Sequence, residues 1–535
     1  MNEKDIVSRA EERKVIFASS LGTVFEWYDF YLYAVLAPFF SRLFFPPGHD
    51  TGALLAAFAT YAAGFLVRPF GALFFGRIGD LVGRKYTFLI TISVMGASTF
   101  LLGLLPTFGT IGWAAPVILV LLRLVQGLAL GGEYGGAATY VAEHSPNDRR
   151  GYNTSWIQTT ATLGLLMALV IIGLCRGKMP KEVFESWGWR MPFLLSIVLL
   201  AFSIYIRLKL QESPAFRRMK AEGRGSKSPL RDSFLRYPNN KYVLLALLGA
   251  TAGQGVVWYT GQFWALFFLG TTLHLDYVTV YILIGASLVL GTPFFIVFGR
   301  LSDKIGRLKI ILAGCLIAAA TYMPIFKALT HYVNPALEAF SERTKVTVAS
   351  DDCGIHIFPI PGVTKYSPCD NAKDFLTKQG LQFETLPAVA GQDVVVMIGD
   401  VEFRGWDKKT SEPKALETLA AKGFPATADK DAVNYPMTIL LLFIMVIYVT
   451  MVYGPIAAYL VELFPTNIRY TSMSLPYHIG NGVFGGMLPL VATAMMAASG
   501  NIYRGLWYPI VVAIMTFVIG AAFLRERPKD FDIHE

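Results

Sequence analysis

The chain of 535 residues carries 47 Lys and Arg against 38 Asp and Glu, a formal net charge of +9. Charged residues make up only 16% of it and hydrophobic residues 54%, whereas a soluble globular chain is about 25% charged. This composition argues against a soluble enzyme and against a nucleic-acid binder. The 7 His and 4 Cys residues form no CxxC or HExxH pattern, so the sequence predicts no metal site and no cofactor.

Long apolar stretches predict twelve transmembrane helices, which we number 1 to 12 in chain order. A bilayer core about 30 Å thick needs about 20 mostly apolar residues for one crossing. The predicted helices are 16–40, 52–76, 86–105, 115–142, 152–175, 190–208, 242–270, 278–300, 308–328, 436–461, 471–497 and 504–524. Since no small-residue cleavage site follows the charged start of the chain, we interpret the first helix as retained and not as a signal peptide.

The charge of the short loops predicts that both termini are cytoplasmic. Lys and Arg are concentrated between helices 2 and 3, 4 and 5, and 8 and 9, and in the central connection 207–241. The loops on the other side carry few charges. Because positively charged loops stay in the cytoplasm, the first group of loops is expected on that side.

Two groups of residues occur twice in the chain. The motif Gly76–Lys85 recurs as Gly299–Lys309, with its Gly, Asp, Gly and Arg each offset by 223 residues. Glu143, Pro146 and Arg150 recur as Glu462, Pro465 and Arg469, each offset by 319 residues. The sequence therefore predicts two homologous six-helix halves, with 96 additional residues inside the second half.

Composition locates the additional residues in segment 331–435. It holds 11 Lys and Arg and 15 Asp and Glu, unlike the apolar helices around it. TKVTVAS and DVVVMIGDVEF predict strands, whereas DNAKDFLTKQ and SEPKALETLAAK predict short helices. We therefore expect a small extracytoplasmic α/β domain. Cys353 and Cys369 lie in it, and their spacing is compatible with a disulfide and with two free thiols.

The predicted fold class is an all-α membrane protein of twelve transmembrane helices in two homologous halves, plus the small α/β insert. Its parts are an N-terminal half (1–206), a cytoplasmic central loop (207–241), helices 7 to 9 (242–330), the extracytoplasmic segment (331–435), and helices 10 to 12 with a short cytoplasmic tail (436–535).

Outside segment 331–435 the chain resembles the major facilitator superfamily. Within it, a set of motifs resembles the metabolite:proton symporter family: Glu26-Trp-Tyr-Asp29-Phe, Arg68-Pro-Phe-Gly, Arg123-Leu-Val-Gln126-Gly, Gly131-Gly-Glu133-Tyr, Trp187-Gly-Trp-Arg190 and Gln211-Glu-Ser-Pro214. The resemblance implies a multi-pass protein of the bacterial inner membrane. It also implies carriage of citrate, 2-oxoglutarate, shikimate, other carboxylates, or proline and betaine. The long segment departs from the usual plan of the family.

Acidic residues inside predicted helices are the candidates for proton coupling. Glu26 and Asp29 are three residues apart and share a helix face, and Glu133 lies on helix 4. Close carboxylates in a poorly hydrated site raise the pKa of at least one of them. A permanent ion pair with Arg68 or Arg123 is the structural alternative.

Candidate substrate contacts lie in both halves. In the first, Arg123 and Gln126 are candidates, because Arg binds carboxylates in a bidentate manner; Arg68 has either a substrate or a structural role. In the second half the candidates are polar or aromatic: Gln254, Trp258, Tyr259 and Gln262 on helix 7, then the weaker Tyr448, Tyr453, His478 and Asn481. Helix packing explains these residues equally well, and a Trp–Tyr pair also suits a quaternary ammonium.

The repeated loops are predicted to be gates. Asp80 with Arg84 and Asp303 with Arg307 are expected to form ion pairs that hold the halves together, and rocking of the halves would break them. Glu143 with Arg150, and Glu462 with Arg469, are expected partners in the same gates. If these loops served only to set the orientation in the membrane, their Lys and Arg residues would be explained, but the repeated Asp would not.

The predicted function is import of a small metabolite, most simply an organic acid, together with protons by alternating access. A proline or betaine symporter is the alternative within this class, and the short tail without heptads is unlike that of osmolyte porters. A transporter-derived sensor that binds a ligand or protein through segment 331–435 is the alternative of another class. We expect no enzyme activity, no nucleic-acid partner, and a functional monomer.

Overall fold

The computed structural model describes residues 9–47, 50–81, 84–132, 134–143, 145–208, 228–354, 364–388, 391–465 and 468–526. In this part of the chain, 10 helices are long and apolar enough to span a membrane. They are helices 2 (Asp50–Phe75), 4 (Ala114–Gly131), 5 (Asn147–Lys178), 6 (Gly188–Tyr205), 7 (Asn239–Thr272), 8 (Tyr277–Ile305), 9 (Arg307–Val333), 10 (Tyr435–Leu463), 11 (Arg469–Ser499) and 12 (Arg504–Phe523).

The segments predicted as helices 1 and 3 are also helical, as Arg9–Phe44 and Arg84–Leu104. Helix 1 is less apolar than the ten, because Glu26, Asp29 and several aromatic hydroxyl groups lie along it. The apolar part of helix 3 is the shorter Leu89–Leu104. Twelve membrane crossings therefore remain a prediction.

Several helices are interrupted where the sequence cannot continue a regular α-helix. Helix 2 consists of Asp50–Leu66 and Arg68–Leu81, and the break precedes Pro69. Helix 8 breaks in the same way before Pro293. Proline lacks the amide hydrogen and clashes with the preceding turn, so each break has a local cause.

Helix 7 departs from α-geometry three times, in the π-helical turns Leu247–Thr251, Thr260–Trp264 and Phe268–Thr272. Helix 11 contains one such turn, Gly480–Gly485. A π turn shifts the rotational position of every side chain that follows it. Faces inferred from a constant 100° per residue therefore change along these two helices.

Two pairs of helices form the boundary between the halves. Helix 5 packs against helix 8, and helix 2 packs against helix 11. Within the N-terminal half, helices 2 and 4 approach closely because both carry glycine: a Cβ atom on Gly127 would lie 1.8 Å from the carbonyl oxygen of Gly64. Small residues permit such contacts between membrane helices. This contact sets the distance between the two helices that carry Arg68 and Arg123.

Segment 331–435 contains a four-stranded sheet. Its strands are β1 (Val346–Ala349), β2 (Glu384–Leu386), β3 (Val395–Ile398) and β4 (Val401–Arg404). Their order is β2-β1-β3-β4, with β1 parallel to β2 and the other pairs antiparallel. The stretch predicted as a single strand at 393–403 forms a hairpin, because Gly399 adopts a positive φ of 64°. Strand β2 has no predicted counterpart, since it is short and mostly exposed.

Helices Pro335–Arg343, Pro368–Lys378 and Ser411–Ala421 accompany the sheet. Buried side chains such as Val348, Phe375 and Leu419 form a hydrophobic cluster separate from that of the membrane helices. A disulfide joins Cys353, after β1, to Cys369 in the first turn of the 368–378 helix. The two ends of the segment are adjacent, because the amide of Asn434 donates to the carbonyl oxygen of Tyr332 at 2.8 Å.

We expect Gly127→Ala to destabilise the protein by at least about 1–3 kcal/mol, because the added methyl group overlaps the backbone of helix 2. Unfolding of the detergent-solubilised protein, followed by intrinsic fluorescence, measures this loss. Gly109→Ala is the control, since a Cβ atom there meets no atom within 4 Å. Equal stability of the two variants would contradict the proposed close contact.

Candidate functional site

Two buried arginines lie at the centre of the N-terminal half, on the facing sides of helices 2 and 4. Arg68 is 1% exposed and Arg123 is 0% exposed. Both guanidinium groups lie against the ring of Phe30, at 4.3 Å and 4.4 Å from its centroid. Arg68 also contacts Phe65 at 3.9 Å, and Arg123 contacts Tyr33 at 4.6 Å. Cation–π attraction stabilises both charges in part.

The hydrogen bonds of these arginines are incomplete. Arg123 Nη1 donates to Gln126 Oε1 at 2.7 Å, and Gln126 Nε2 donates to Thr99 Oγ1 at 2.8 Å. The Nε and Nη2 atoms of both arginines are buried without a hydrogen-bond partner. No carboxylate in the described part of the chain forms an ion pair with either group. A buried cation without a counter-charge is costly, so this region is suited to an anion.

The candidate acids Glu26 and Asp29 lie on helix 1, which also carries Phe30. Asp29 is 5% exposed and accepts a hydrogen bond of 2.5 Å from Ser196 Oγ on helix 6. Glu26 is buried one turn earlier. The structural alternative, an ion pair between Asp29 and Arg68 or Arg123, is therefore not formed in this conformation. Glu133 lies outside the described residues.

The candidates on helix 7 are all buried but have different partners. Gln254 and Asn481 of helix 11 exchange two hydrogen bonds, of 3.0 Å and 2.9 Å. Gln262 lies within the π turn Thr260–Trp264 and donates instead to Thr162 of helix 5, at 3.3 Å, across the boundary between the halves. The Trp258 Nε1 and Gln262 Oε1 atoms have no partner. Gln254 and Gln262 are predicted to share one face of helix 7, but they contact different helices.

Aromatic rings connect the arginines to helix 7. Tyr31 stacks between Trp27, at 5.2 Å, and Trp258, at 5.6 Å. Tyr259 contacts Phe65 edge-on at 5.4 Å. We call this group, with Phe30, Tyr61 and the two arginines, the central cluster. Sequence reasoning missed Phe30, Tyr31 and Tyr61, although their three- and four-residue spacing from charged or aromatic residues on the same helices was a usable signal.

The weaker candidates are partly structural. Tyr453 and Tyr477 share a hydrogen bond of 2.8 Å, and Tyr453 contacts Trp258 at 6.3 Å. Tyr448 bonds to Thr321 at 3.0 Å within the second half. His478 is buried beside Tyr477. Tyr453 and Asn481 therefore reach the edge of the central cluster, whereas Tyr448 serves helix packing.

The predicted ion pair between Asp303 and Arg307 is formed, on the side opposite segment 331–435. Asp303 accepts hydrogen bonds from the backbone amides of Gly151 and Tyr152, at 2.8 Å and 2.9 Å. These amides belong to the first turn of helix 5, whose N–H groups have no partner within the helix. Arg307 also donates to Asp303, at 3.0 Å. The ion pair between Asp303 and Arg307 lies within the second half. The bonds that join the two halves are those from the first amides of helix 5 to Asp303.

A second contact across the halves involves Glu462. Its carboxylate binds Arg150 of the N-terminal half at 2.8 Å and Arg307 at 2.5 Å. The predicted pairing of Glu462 with Arg469 is therefore wrong. Glu462 is bound instead by Arg150 of the facing half and by Arg307 of its own half. Arg469 is buried and donates to the carbonyl oxygen of Phe464 at 3.2 Å.

Three predicted gate residues can be placed only by their backbone. Asp80 lies near the end of helix 2, Arg84 begins helix 3, and Glu143 ends the helix Tyr134–Glu143. Their side chains lie outside the described part of the structure. The duplicate gate of the first half stays a prediction.

The family model described as Major Facilitator Superfamily matches residues 19–332. The chain belongs to the major facilitator superfamily. It is 35% identical over 333 residues to the shikimate transporter of Escherichia coli, covering 61% of this chain and 75% of that protein. It is 34% identical over 336 residues to the proline/betaine transporter of Salmonella typhimurium, covering 61% and 66%. These superfamily members are transporters and not enzymes.

A solved structure of the E. coli xylose transporter, in a partially occluded inward open conformation, shares the superfamily fold. Its TM-score is 0.57 at 14% identity, covering 97% of this chain and 98% of that chain. This protein is thus a mostly helical, integral membrane transporter of small metabolites. In that setting, the contacts of Asp303 and Glu462 join the two halves at one end of their boundary.

We expect Asp303→Asn to open that end more often, because the neutral amide is a weaker acceptor for the helix 5 terminus. The labelling rate of Ser155→Cys by a maleimide measures this opening, since Ser155 is buried against Gly299 of the other half. The rate should rise about tenfold, the worth of one charged hydrogen bond. Asp148→Asn, at an exposed pair on the same side, is the control. An unchanged rate would contradict a gate at Asp303.

Proposed function

We propose that this transporter imports a small organic acid together with one or more protons. The observation that carries the proposal is the pair of buried, unpaired guanidinium groups of Arg68 and Arg123. Each retains two N–H groups without a partner. A carboxylate would supply both the charge and the acceptors that these donors lack, and Arg binds carboxylates in a planar, two-bond geometry.

The surroundings of the arginines support a substrate with a compact apolar body. Phe30, Tyr31 and Trp258 present ring faces, and the unpartnered Trp258 Nε1 and Gln262 Oε1 offer a donor and an acceptor. A carboxylate on the arginines would leave the rest of the substrate against these rings and helix 7. One relative is a shikimate transporter, and shikimate fits this description.

Proton coupling is proposed for Asp29 and Glu26, with Glu133 as a third candidate. A carboxylate buried inside a membrane protein is costly when ionised, so its proton is readily linked to the charge of its surroundings. When an anionic substrate occupies the arginines, it adds negative charge near helix 1 and favours protonation of these acids. Release of substrate and proton on the other side would then be linked.

A proline or betaine symporter is the second candidate. The Trp27–Tyr31–Trp258 stack provides ring faces for a quaternary ammonium, and several relatives are proline/betaine transporters. The two uncompensated arginines repel that cation, but they would attract the carboxylate of a zwitterion. The substrate panel below separates the two classes.

The orientation that we propose places both termini in the cytoplasm and segment 331–435 outside the cell, in a protein of the bacterial inner membrane. It is supported by the positive loops on the terminal side. The central cluster lies within one chain, so a monomer is proposed to suffice.

We expect one or two organic acids to drive proton entry into proteoliposomes that contain an internal pH dye. The panel comprises citrate, 2-oxoglutarate, shikimate, smaller mono- and dicarboxylates, aromatic acids, proline and betaine, added singly. Arg123→Gln should weaken the apparent affinity for the active acid by about 10- to 100-fold, since a charged hydrogen bond is lost, and Arg149→Gln should not. A response to proline or betaine alone would favour the second candidate.

We expect Asp29→Asn and Glu26→Gln to abolish accumulation of the active substrate against a gradient, because an amide cannot carry the coupled proton. Exchange of labelled for unlabelled substrate should continue, since it needs no net proton transfer. Uptake with an imposed pH gradient and exchange without one measure the two properties. If both variants still concentrate substrate, the assignment of coupling to helix 1 is wrong.

A further inference from the structure

Segment 331–435 contacts both halves of the transporter. Its attachment to the second half is extensive: Phe383 donates to the carbonyl oxygen of Gly500 at 2.9 Å, Ala428 donates to that of His274 at 3.1 Å, and Lys430 pairs with Asp276 at 2.9 Å. These partners lie in the loops that follow helices 7 and 11. We therefore expect the segment to move together with the second half, into whose chain it is inserted.

Its contact with the N-terminal half is made by the 368–378 helix at the start of helix 2. Asp374 Oδ1 accepts a hydrogen bond of 2.7 Å from the backbone amide of Thr51. Lys378, one turn later, forms an ion pair with Asp50. Asp374 is only 5% exposed. A carboxylate from the segment thus binds the first turn of a helix in the other half.

The physical chemistry of this contact is that of helix capping. The first amides of helix 2 have no acceptor within the helix, and the helix dipole places partial positive charge there. A buried carboxylate at this terminus is stabilised by both effects. The contact is nevertheless small, so relative movement of the halves can break it without unfolding either partner.

The same arrangement occurs at the other end of the boundary, where Asp303 of the second half binds the first amides of helix 5. Alternating access requires the two ends to open in turn. Both contacts are formed in this conformation, in which the central arginines are fully enclosed. The contact between Asp374 and Thr51 joins the two halves at the end of the boundary opposite Asp303, as a gate for that end must.

We propose that segment 331–435 is a gate on its own side of the membrane, with Asp374 and Lys378 as the gating residues that hold helix 2. The segment moves with the second half, and opening of that side breaks the bonds to Thr51 and Asp50. This role is independent of the identity of the transported substrate and of proton coupling.

The test measures the distance between the halves on that side in the substrate-free, full-length protein. Spin labels at Thr110→Cys, in the exposed loop after helix 3, and at Asn501→Cys, in the exposed loop after helix 11, report on the two halves. Labelling without reductant preserves the disulfide, and Cys175→Ala removes a half-buried thiol. Double electron–electron resonance then gives the populations of short and long distances in proteoliposomes.

We expect Asp374→Asn to increase the ratio of long to short distances about tenfold, as expected for loss of a charged hydrogen bond. Asp400→Asn is the matched control, because Asp400 makes an ion pair with Lys422 inside the segment and its side chain is 84% exposed. The same ratio in both variants would overturn the proposal.

A charge exchange keeps the test decisive if Asp374→Asn impairs folding of the segment, since Asp50 and Lys378 are both exposed. Asp50→Lys and Lys378→Asp should each favour the long distance, and the double variant should return to the wild-type distribution. Single variants that leave the distribution unchanged, or a double variant that does not restore it, would show that this contact is no gate.

Discussion

The interaction on which the rest of the structure depends is the enclosure of two cations by aromatic rings. Arg68 and Arg123 are removed from water, and among the residues that the structure describes their charges are compensated by ring faces and by one amide oxygen from Gln126. Such a site is stable only if the surrounding helices hold their positions. The glycine contact between helices 2 and 4 meets this need, since it fixes the arginines on backbones that cannot move apart without losing close packing.

Enclosure of the charges also explains why contacts between the halves are found at both ends of the boundary. At each end, a carboxylate attached to the second half binds the free amides of a helix terminus in the first half. Amides at a helix terminus suit this purpose, because they need no particular side chain and the helix dipole attracts negative charge to them. Each contact joins the two halves through a carboxylate and two or fewer backbone amides.

Much of the fold could be predicted, because crossing a membrane imposes a simple length and polarity on the sequence. Buried charges such as Asp29 and Arg123 were recognisable for the same reason, since few ionisable residues are tolerated inside a bilayer. Contacts across the boundary were less predictable. Glu462 and Arg469 are seven residues apart and their spacing predicts a pair, but the facing arrangement of the halves brings Arg150 to Glu462. Spacing along a chain describes one helix and carries no information about the helix opposite.

The face of helix 7 was unpredictable for another reason. Three π turns change its periodicity, so a constant 100° per residue does not describe the whole helix. Gln262 therefore contacts helix 5 and not the side of the helix on which Gln254 lies. Similarly, strand β2 carries no strong local signal, because its pairing with β1 is what makes it a strand.

The adjacency of Tyr332 and Asn434 has a consequence for how such a chain can arise. Two helices of the bundle, 9 and 10, are joined by about a hundred residues, yet the points where the chain leaves and re-enters are one hydrogen bond apart. For the bundle, this connection is equivalent to a short hairpin loop, and its length adds little entropy cost because the intervening residues are folded. A gene fragment that encodes a compact domain with neighbouring ends can therefore enter a helix–helix loop without disturbing the packing of the older protein.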